Sequence, residues 1–123
     1  MMQGFANQSH EAIIPAIVGH NKTRQQMLQA VIDTGFTGFL SLPLSTIESL
    51  ELPWIFRDAA TLGDGSEVLF AMYRATVIWH GKYQVVDVAA SEAEPLVGMS
   101  LLHGSKLQIE AVEGGIVTIE TMT

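Results

Sequence analysis

Apolar and polar positions alternate with a period of two along most of the chain, the spacing that sends successive side chains to opposite faces of a strand. From Leu69 to Trp79 one face reads Leu69, Ala71, Tyr73, Ala75, Val77 and Trp79, and the other carries Phe70, Met72, Arg74, Thr76 and Ile78. Both faces are largely apolar, which predicts a strand covered on two sides. Gly81-Lys82 fits a two-residue turn with glycine first, where a positive φ is needed, and "YQVVDVAA" returns as the second strand of a hairpin. A further hairpin is predicted in "KLQIEAVEGGIVTIE", where Leu107, Ile109 and Ala111 alternate before Gly114-Gly115, and Val117 and Ile119 after it.

Nearer the start, "AIIPAIVG" is a β-branched run whose Pro15, having no N–H, predicts an edge or the start of a strand. "GHNK" reads as a turn and "QQMLQAVID" runs back, so residues 12 to 33 predict an antiparallel hairpin that ends at Asp33. Only two segments have helical spacing, and both are short. "LPLSTIESL" places Pro43 where a first-turn proline is tolerated and spaces Leu44, Ile47 and Leu50 along one side. "PLVGMSLLHG" follows Pro95 and stops at Gly104, a C-terminal glycine. The pattern as a whole predicts an all-β domain with one or two short helices.

Composition narrows the class. The 123 residues suit one domain, 1–123, with a real core, and no repeat or linker-like stretch divides them. Hydrophobic residues make up 48% and charged ones 15%, so Trp54, Phe56 and Trp79 are expected in the core. Thirteen acidic residues against 6 basic ones give a net charge of −7, which argues against nucleic acid or an anionic membrane as partner and predicts an acidic, solvated face. No window reaches the ~18 apolar residues of a spanning helix, and no basic, then apolar, leader opens the chain. With no cysteine, disulfide and thiolate chemistry are excluded and the cytoplasm is the expected compartment.

Few residues offer chemistry. His10, His20, His80 and His103 have no partner at i, i+4 and no HExxH context, so they read as surface or turn histidines and no metal is expected. Neither GxSxG nor a Walker-type loop occurs, and "LGDGS" by itself reads as a turn. Asp33 stands apart. It follows an apolar run in "AVIDTGFTGFLSLP", where it is either the first residue of a turn or a working carboxylate.

Asp33-Thr34-Gly35 after an apolar strand, a glycine at Gly38, and the apolar-apolar-glycine segment Leu96-Val97-Gly98 some sixty residues later together resemble the layout of retropepsin-like aspartic proteases, small bacterial type. The resemblance covers most of the chain. It implies a single-lobe acid-protease barrel that works as a homodimer on a protein or peptide substrate, without a cofactor. Such a site holds a water between two carboxyls, one ionised to take its proton and one protonated to donate to the scissile carbonyl oxygen. Like charges that close share one proton and titrate as a unit. One Asp33 per chain supplies half of the pair, so two copies must face each other across a two-fold axis.

The same resemblance assigns the neighbours. Thr34 is similar to the family's threonine that bonds across the dimer, and Gly35 allows close approach of backbone and substrate. Leu96, Val97 and Gly98 look like the second signature, packing behind the catalytic loop. Gly63, Asp64 and Gly65 fall where the family has its flap tip, an alternative to an ordinary loop. Phe36 and Thr37 stand where the retroviral enzymes carry a small and then an acidic residue. At these substrate-binding positions Phe36 either narrows a subsite or packs inward, and Thr37 offers a weaker bond to substrate backbone. The competing expectation is a non-catalytic dimerisation or peptide-binding module on the same fold.

Overall fold

The computed structural model describes residues 1–122. Residues 12 to 32 fold as expected into a hairpin, β2 (Ala12–Gly19) and β3 (Gln25–Ile32), paired in register from Ile13↔Val31 to Gly19↔Gln25. Next come β4 (Leu40–Pro43), α1 (Leu44–Ser49), β5 (Trp54–Thr61), β6 (Glu67–Trp79) and β7 (Lys82–Ser91). β8 (Leu96–Val97) and α2 (Met99–Leu102) precede the last hairpin, β9 (Ser105–Ile109) and β10 (Ile116–Thr121), while β1 (Met2–Ala6) opens the chain.

Six strands close on themselves. The order β6-β7-β4-β8-β3-β2 returns to β6 because Ile17, Val18 and Gly19 also pair with Ile78, Val77 and Thr76. Beyond β2 the sheet continues through β1 and β10 to β9, and beyond β6 it ends in β5. The alternation seen in the sequence decides what fills the barrel. Ile14, Leu42, Val77, Val88, Val97 and Ile119 are completely buried in one cluster, each removing a side chain worth about 1.5–3 kcal/mol from water. Ile47 of α1 and Leu101 and Leu102 of α2 close the cluster from outside the sheet.

Several expectations are corrected. Only Ala75, Val77 and Trp79 of β6 are buried, whereas Leu69 is 64% exposed, because the first half of β6 leaves the barrel and pairs with β5 alone as a two-stranded ribbon. Trp54 and Phe56 lie at the base of that ribbon, opposite Tyr73 and Met72, at 57% and 38% exposure, so of the three aromatics expected inside only Trp79 is. The β6–β7 turn is His80-Gly81, one residue earlier than expected. Trp79 pairs with Lys82, and both turn residues have positive φ, 52° and 73°, as a type I′ turn requires. Pro15 sits mid-strand, but between the stretch of β2 that pairs with β1 and the stretch that pairs with β6. There one side of β2 has no neighbour, and the missing N–H costs nothing. The second helix is confined to Met99–Leu102, since Leu96 and Val97 are strand.

Candidate active site

β8 settles where Asp33 goes. It runs parallel to β3 (Val31↔Leu96, Ile32↔Val97) and antiparallel to β4 (Leu40↔Val97, Ser41↔Leu96), so it lies between two strands that are consecutive in the chain. The segment 33–39 that joins those strands must therefore cross the end of β8. Asp33 is the first residue of that crossing, and its N–H donates to the Val97 carbonyl at 2.9 Å. The Phe36 N–H returns to the Asp33 carbonyl at 3.1 Å, and the Gly35 N–H donates to Asp33 Oδ1 at 2.9 Å. The two readings left open by the sequence are thus compatible. Asp33 makes an Asx-type turn with one carboxylate oxygen and stays half-buried, at the surface of a cleft.

The crossing segment is tied to α2. A helix begins with N–H groups that have no acceptor inside it, and here the segment supplies them. Met99 N–H donates to the Phe36 carbonyl at 2.8 Å, Ser100 N–H to the Gly38 carbonyl at 3.1 Å, and the Ser100 hydroxyl to the Thr37 carbonyl. Gly98 N–H reaches the Phe39 carbonyl at 3.0 Å. The contact is close enough to exclude a side chain. A Cβ on Gly98 would lie 2.2 Å from the Gly38 carbonyl oxygen and 2.6 Å from the Phe36 ring, and one on Gly38 would lie 2.6 Å from the same ring. Phe36 therefore packs inward, over two glycines. Gly35 is far less confined, with Asp33 Oδ1 at 3.3 Å as its nearest contact.

Asp33 and Thr34 line a cleft of about 860 Å³ whose other walls are the 7–11 loop and the 109–113 loop. The 7–11 loop is organised by Asn7, whose Oδ1 accepts from the N–H groups of Ser9 (3.0 Å) and Glu11 (2.9 Å) and whose Nδ2 donates to Glu11 Oε1 at 3.0 Å. His10, in the left-handed region at φ 64°, also lines the cleft, as do Glu11 and Glu113. Sequence reading missed these residues. The "NQSH" turn is visible as a local signal, but nothing in it points to Asp33, which it meets only through the sheet. Among the described residues, no three His, Asp or Glu converge as a metal site.

The tip of the ribbon is built like a second Asx turn. Ser66 donates to Asp64 Oδ1 through its hydroxyl (2.6 Å) and its N–H (2.9 Å), which holds the Asp64 carboxyl below its ordinary value. Gly65 has φ 86°, and a Cβ on Gly63 or Gly65 would meet nothing within 4 Å. Leu96, Val97 and Gly98 are thus gathered with Asp33 to Gly38, whereas Gly63, Asp64 and Gly65 are not among the residues lining the Asp33 cleft. Of the remaining histidines, His20 Nδ1 lies 2.8 Å from the Glu51 carbonyl and His80 Nε2 lies 2.8 Å from Ser105 Oγ. Burial lowers the His80 pKa, and the N-terminal ammonium adds to the effect.

No protein-family model and no curated protein matches this chain. Solved structures do. A retropepsin-like aspartic protease from Rickettsia conorii superposes with a TM-score of 0.63 at 18% identity, over 99% of this chain and 91% of that one. EIAV protease, complexed with the inhibitor HBY-793, superposes with a TM-score of 0.56 at 15% identity, over 78% of this chain and 88% of that one. The fold is retropepsin-like. The closed six-strand barrel, the β8 insertion beneath the Asp33 loop and the short α2 belong to one architecture, which covers nearly the whole chain in the rickettsial comparison.

Proposed function

We propose that this retropepsin-like chain is an aspartic peptidase whose active unit is a homodimer. The observation that carries the reading is the placement of Asp33. It leaves β3 at the mouth of the cleft with one carboxylate oxygen held by Gly35 N–H, on a segment braced from below by β8 and α2. A carboxylate positioned by backbone donors on a rigid support is suited to hold a water, and a second Asp33 across a two-fold axis completes the proton-sharing pair. The ionised member takes a proton from the water as its oxygen attacks the scissile carbonyl carbon. The protonated member donates to the carbonyl oxygen, giving a neutral gem-diol intermediate. The proton taken from the water then passes to the amide nitrogen, and the C–N bond breaks to release the amine. A hydroxyl proton of the intermediate returns to the other carboxylate as the product carboxyl forms.

In this reading Thr34, exposed beside Asp33, bonds across the axis, and Thr37 borders the substrate, while Phe36, packed inward over Gly38 and Gly98, supports the loop instead of a subsite. The ribbon tip Gly63-Asp64-Gly65 acts as the flap, closing over an extended peptide held as an added strand. One domain, 1–123, supplies the whole half-site, and the cytoplasm suits a chain without cysteine. A second reading, a peptide-binding or dimerisation module without hydrolysis, is favoured by the Phe36 ring, which occupies the space over Gly98. A mixed peptide library offered between about pH 4 and 7, where a shared-proton pair is half-ionised, separates the two. Cleavage by the wild type that disappears in Asp33→Asn establishes the peptidase, and peptide binding without cleavage in a folded dimer establishes the module.

A further inference from the structure

Exposed apolar side chains border the proposed half-site on the ribbon and in the Asp33 cleft, and a separate group lies on the outer wall of the barrel. Val18, Val77 and Val86 turn into the core, so the residues next to them along β2, β6 and β7 turn out. In register, Met27 of β3, Ile17 of β2, Ile78 of β6 and Tyr83 of β7 form one row across four strands. Met27 is 57% exposed, Ile17 36% and Tyr83 46%, and Val85, the next outward position along β7, is 63% exposed. A sheet face left to water carries polar outward side chains, so an apolar row marks a contact surface. Charge on this wall runs opposite to that of the chain. Neither this row nor the next, Gln25, Gly19, Thr76 and Val85, holds any of the 13 acidic residues. Asp87, the next outward position on β7, is neutralised by Arg74 at 3.3 Å. Lys22, in the β2–β3 turn, holds its ammonium 4.7 Å from the centre of the Tyr83 ring, and Lys82 adjoins Tyr83 in the chain. Neither lysine is in an ion pair among the described residues.

We infer that this wall is a docking surface for an acidic amphipathic helix of a partner protein. The backbone decides the kind of element. Ile17 to Gly19 pair with β3 on one side and β6 on the other, and Thr76 to Ile78 pair with β2 and β7. The centre of the wall thus offers no open row of N–H and C=O groups to an added strand, and recognition passes through side chains. The row spans three interstrand spacings, about 14 Å, which a helix of about ten residues covers. Apolar side chains at every third or fourth position of that helix meet the row in turn. The two lysines decide its charge. Glu or Asp beside the apolar stripe meets ammonium groups that have no carboxylate of their own, whereas a basic helix sets like charge against like. On a chain of net charge −7, a carboxylate-free wall is also where an acidic partner can approach. Tyr83, an aromatic ring under a cation, is the anchor. A second copy brings no such helix, since α1 and α2 have only 6 and 4 residues. The wall shares no residue with the Asp33 cleft, so docking leaves that cleft open and does not require Asp33 to be catalytic.

The probe is a fluorescein-labelled, helix-stapled peptide of about fourteen residues, with leucine at every third or fourth position and glutamate on both flanks of that stripe. A counterpart keeps the stripe and carries lysine for each glutamate. Both are titrated with Asp33→Asn protein, so that cleavage cannot consume them. The acidic peptide is expected to give a saturable rise in fluorescence anisotropy, at least about tenfold tighter than the basic one. Lys22→Glu/Lys82→Glu should reverse that preference, which an unfolded protein cannot do, and Val85→Asp should weaken both peptides. In NMR titrations the amides of Ile17, Thr76, Ile78 and Tyr83 should shift while those of Asp33 and Thr34 stay. Absence of saturable binding, equal affinity for the two peptides, an unchanged preference in the double variant, or shifts centred on the Asp33 cleft overturns the inference. Two other outcomes overturn it in favour of a different occupant. Self-association abolished by Val85→Asp, without peptide binding, assigns the wall to a second copy. Lysine-dependent pelleting with phosphatidylglycerol vesicles, without peptide binding, assigns it to an anionic membrane. If the double variant does not fold, the two peptides compared on the unaltered wall decide.

Discussion

Two aspartates in this chain make the same local turn and reach opposite ends. Asp33 Oδ1 accepts from the N–H of Gly35, and Asp64 Oδ1 from the N–H of Ser66, each two residues on and each at 2.9 Å. Both turns sit among glycines. Yet the segment after Asp33 is bound through four backbone N–H donors, those of Asp33, Gly98, Met99 and Ser100, to or from β8 and α2, while the Asp64 turn closes only on itself through Leu62, Gly65 and Ser66. An Asx turn therefore does not make a site. What separates the two is tertiary wiring, which fixes one carboxylate to the barrel and leaves the other at the end of a free ribbon. A rigid carboxylate suits chemistry that depends on positioning within fractions of an ångström, and a free turn suits an element that must move to admit substrate.

The largest test of this contrast is chemical. Asp33→Asn keeps the Asx turn, because an amide oxygen accepts the Gly35 N–H as well, but it cannot take a proton from water. We expect peptide cleavage to fall by about three orders of magnitude or more with the melting temperature nearly unchanged. Asp64→Asn is expected to leave kcat within a few-fold. Equal losses in the two variants would erase the distinction. Next comes packing. Gly98→Ala drives a Cβ to within 2.2 Å of the Gly38 carbonyl oxygen, a backbone atom that cannot step aside without moving the Asp33 loop. A loss of about 2–4 kcal/mol is expected in urea unfolding, against less than about 0.5 kcal/mol for Gly63→Ala, whose Cβ would meet no atom. A smaller effect is expected at the dimer. Thr34→Val removes two symmetry-related hydrogen bonds across the proposed axis, one from each copy, so sedimentation equilibrium should show about a thirtyfold weaker dimer with the monomer's circular dichroism preserved.

The legible and illegible parts of the fold divide along the same line. Alternation made β2, β3, β6, β7, β9 and β10 readable, since the period of two is local. The β6–β7 turn was misplaced by one residue because His80 accepts the left-handed conformation that glycine usually takes, at φ 52°. Trp54 and Phe56 were placed inside because their apolarity is local information, whereas the departure of the ribbon from the barrel is not. Asp33 itself was legible through its tripeptide and through Leu96-Val97-Gly98. The parallel pairing that joins those two segments spans more than sixty positions and has no sequence period. Gly35 looked like the crowded glycine, but the crowding falls on Gly98 and Gly38, under a Phe36 ring whose direction only the packed structure decides. Asn7, His10, Glu11 and Glu113 stayed invisible for the same reason, since the cleft gathers them from separate strands' ends.

The smallest expected effect concerns the free turn, where pH reads its wiring. The Asp64 carboxyl is held below its ordinary value first by the Ser66 hydroxyl and then by the Ser66 N–H. A group whose folded pKa is depressed stabilises the folded form above its unfolded pKa, and that contribution disappears as pH falls through the lowered folded value. The ribbon tip should thus stay ordered at neutral pH and loosen only in acid below the ordinary carboxylate range. Ser66→Ala removes the larger of the two donors, so the Asp64 carboxyl should titrate closer to its ordinary value. The side-chain carboxyl carbon shift of Asp64, followed by NMR against pH, measures this directly. An unchanged titration in Ser66→Ala would mean that the backbone N–H alone holds the turn, as the Gly35 N–H does at Asp33. The two turns would then differ only in what lies beneath them.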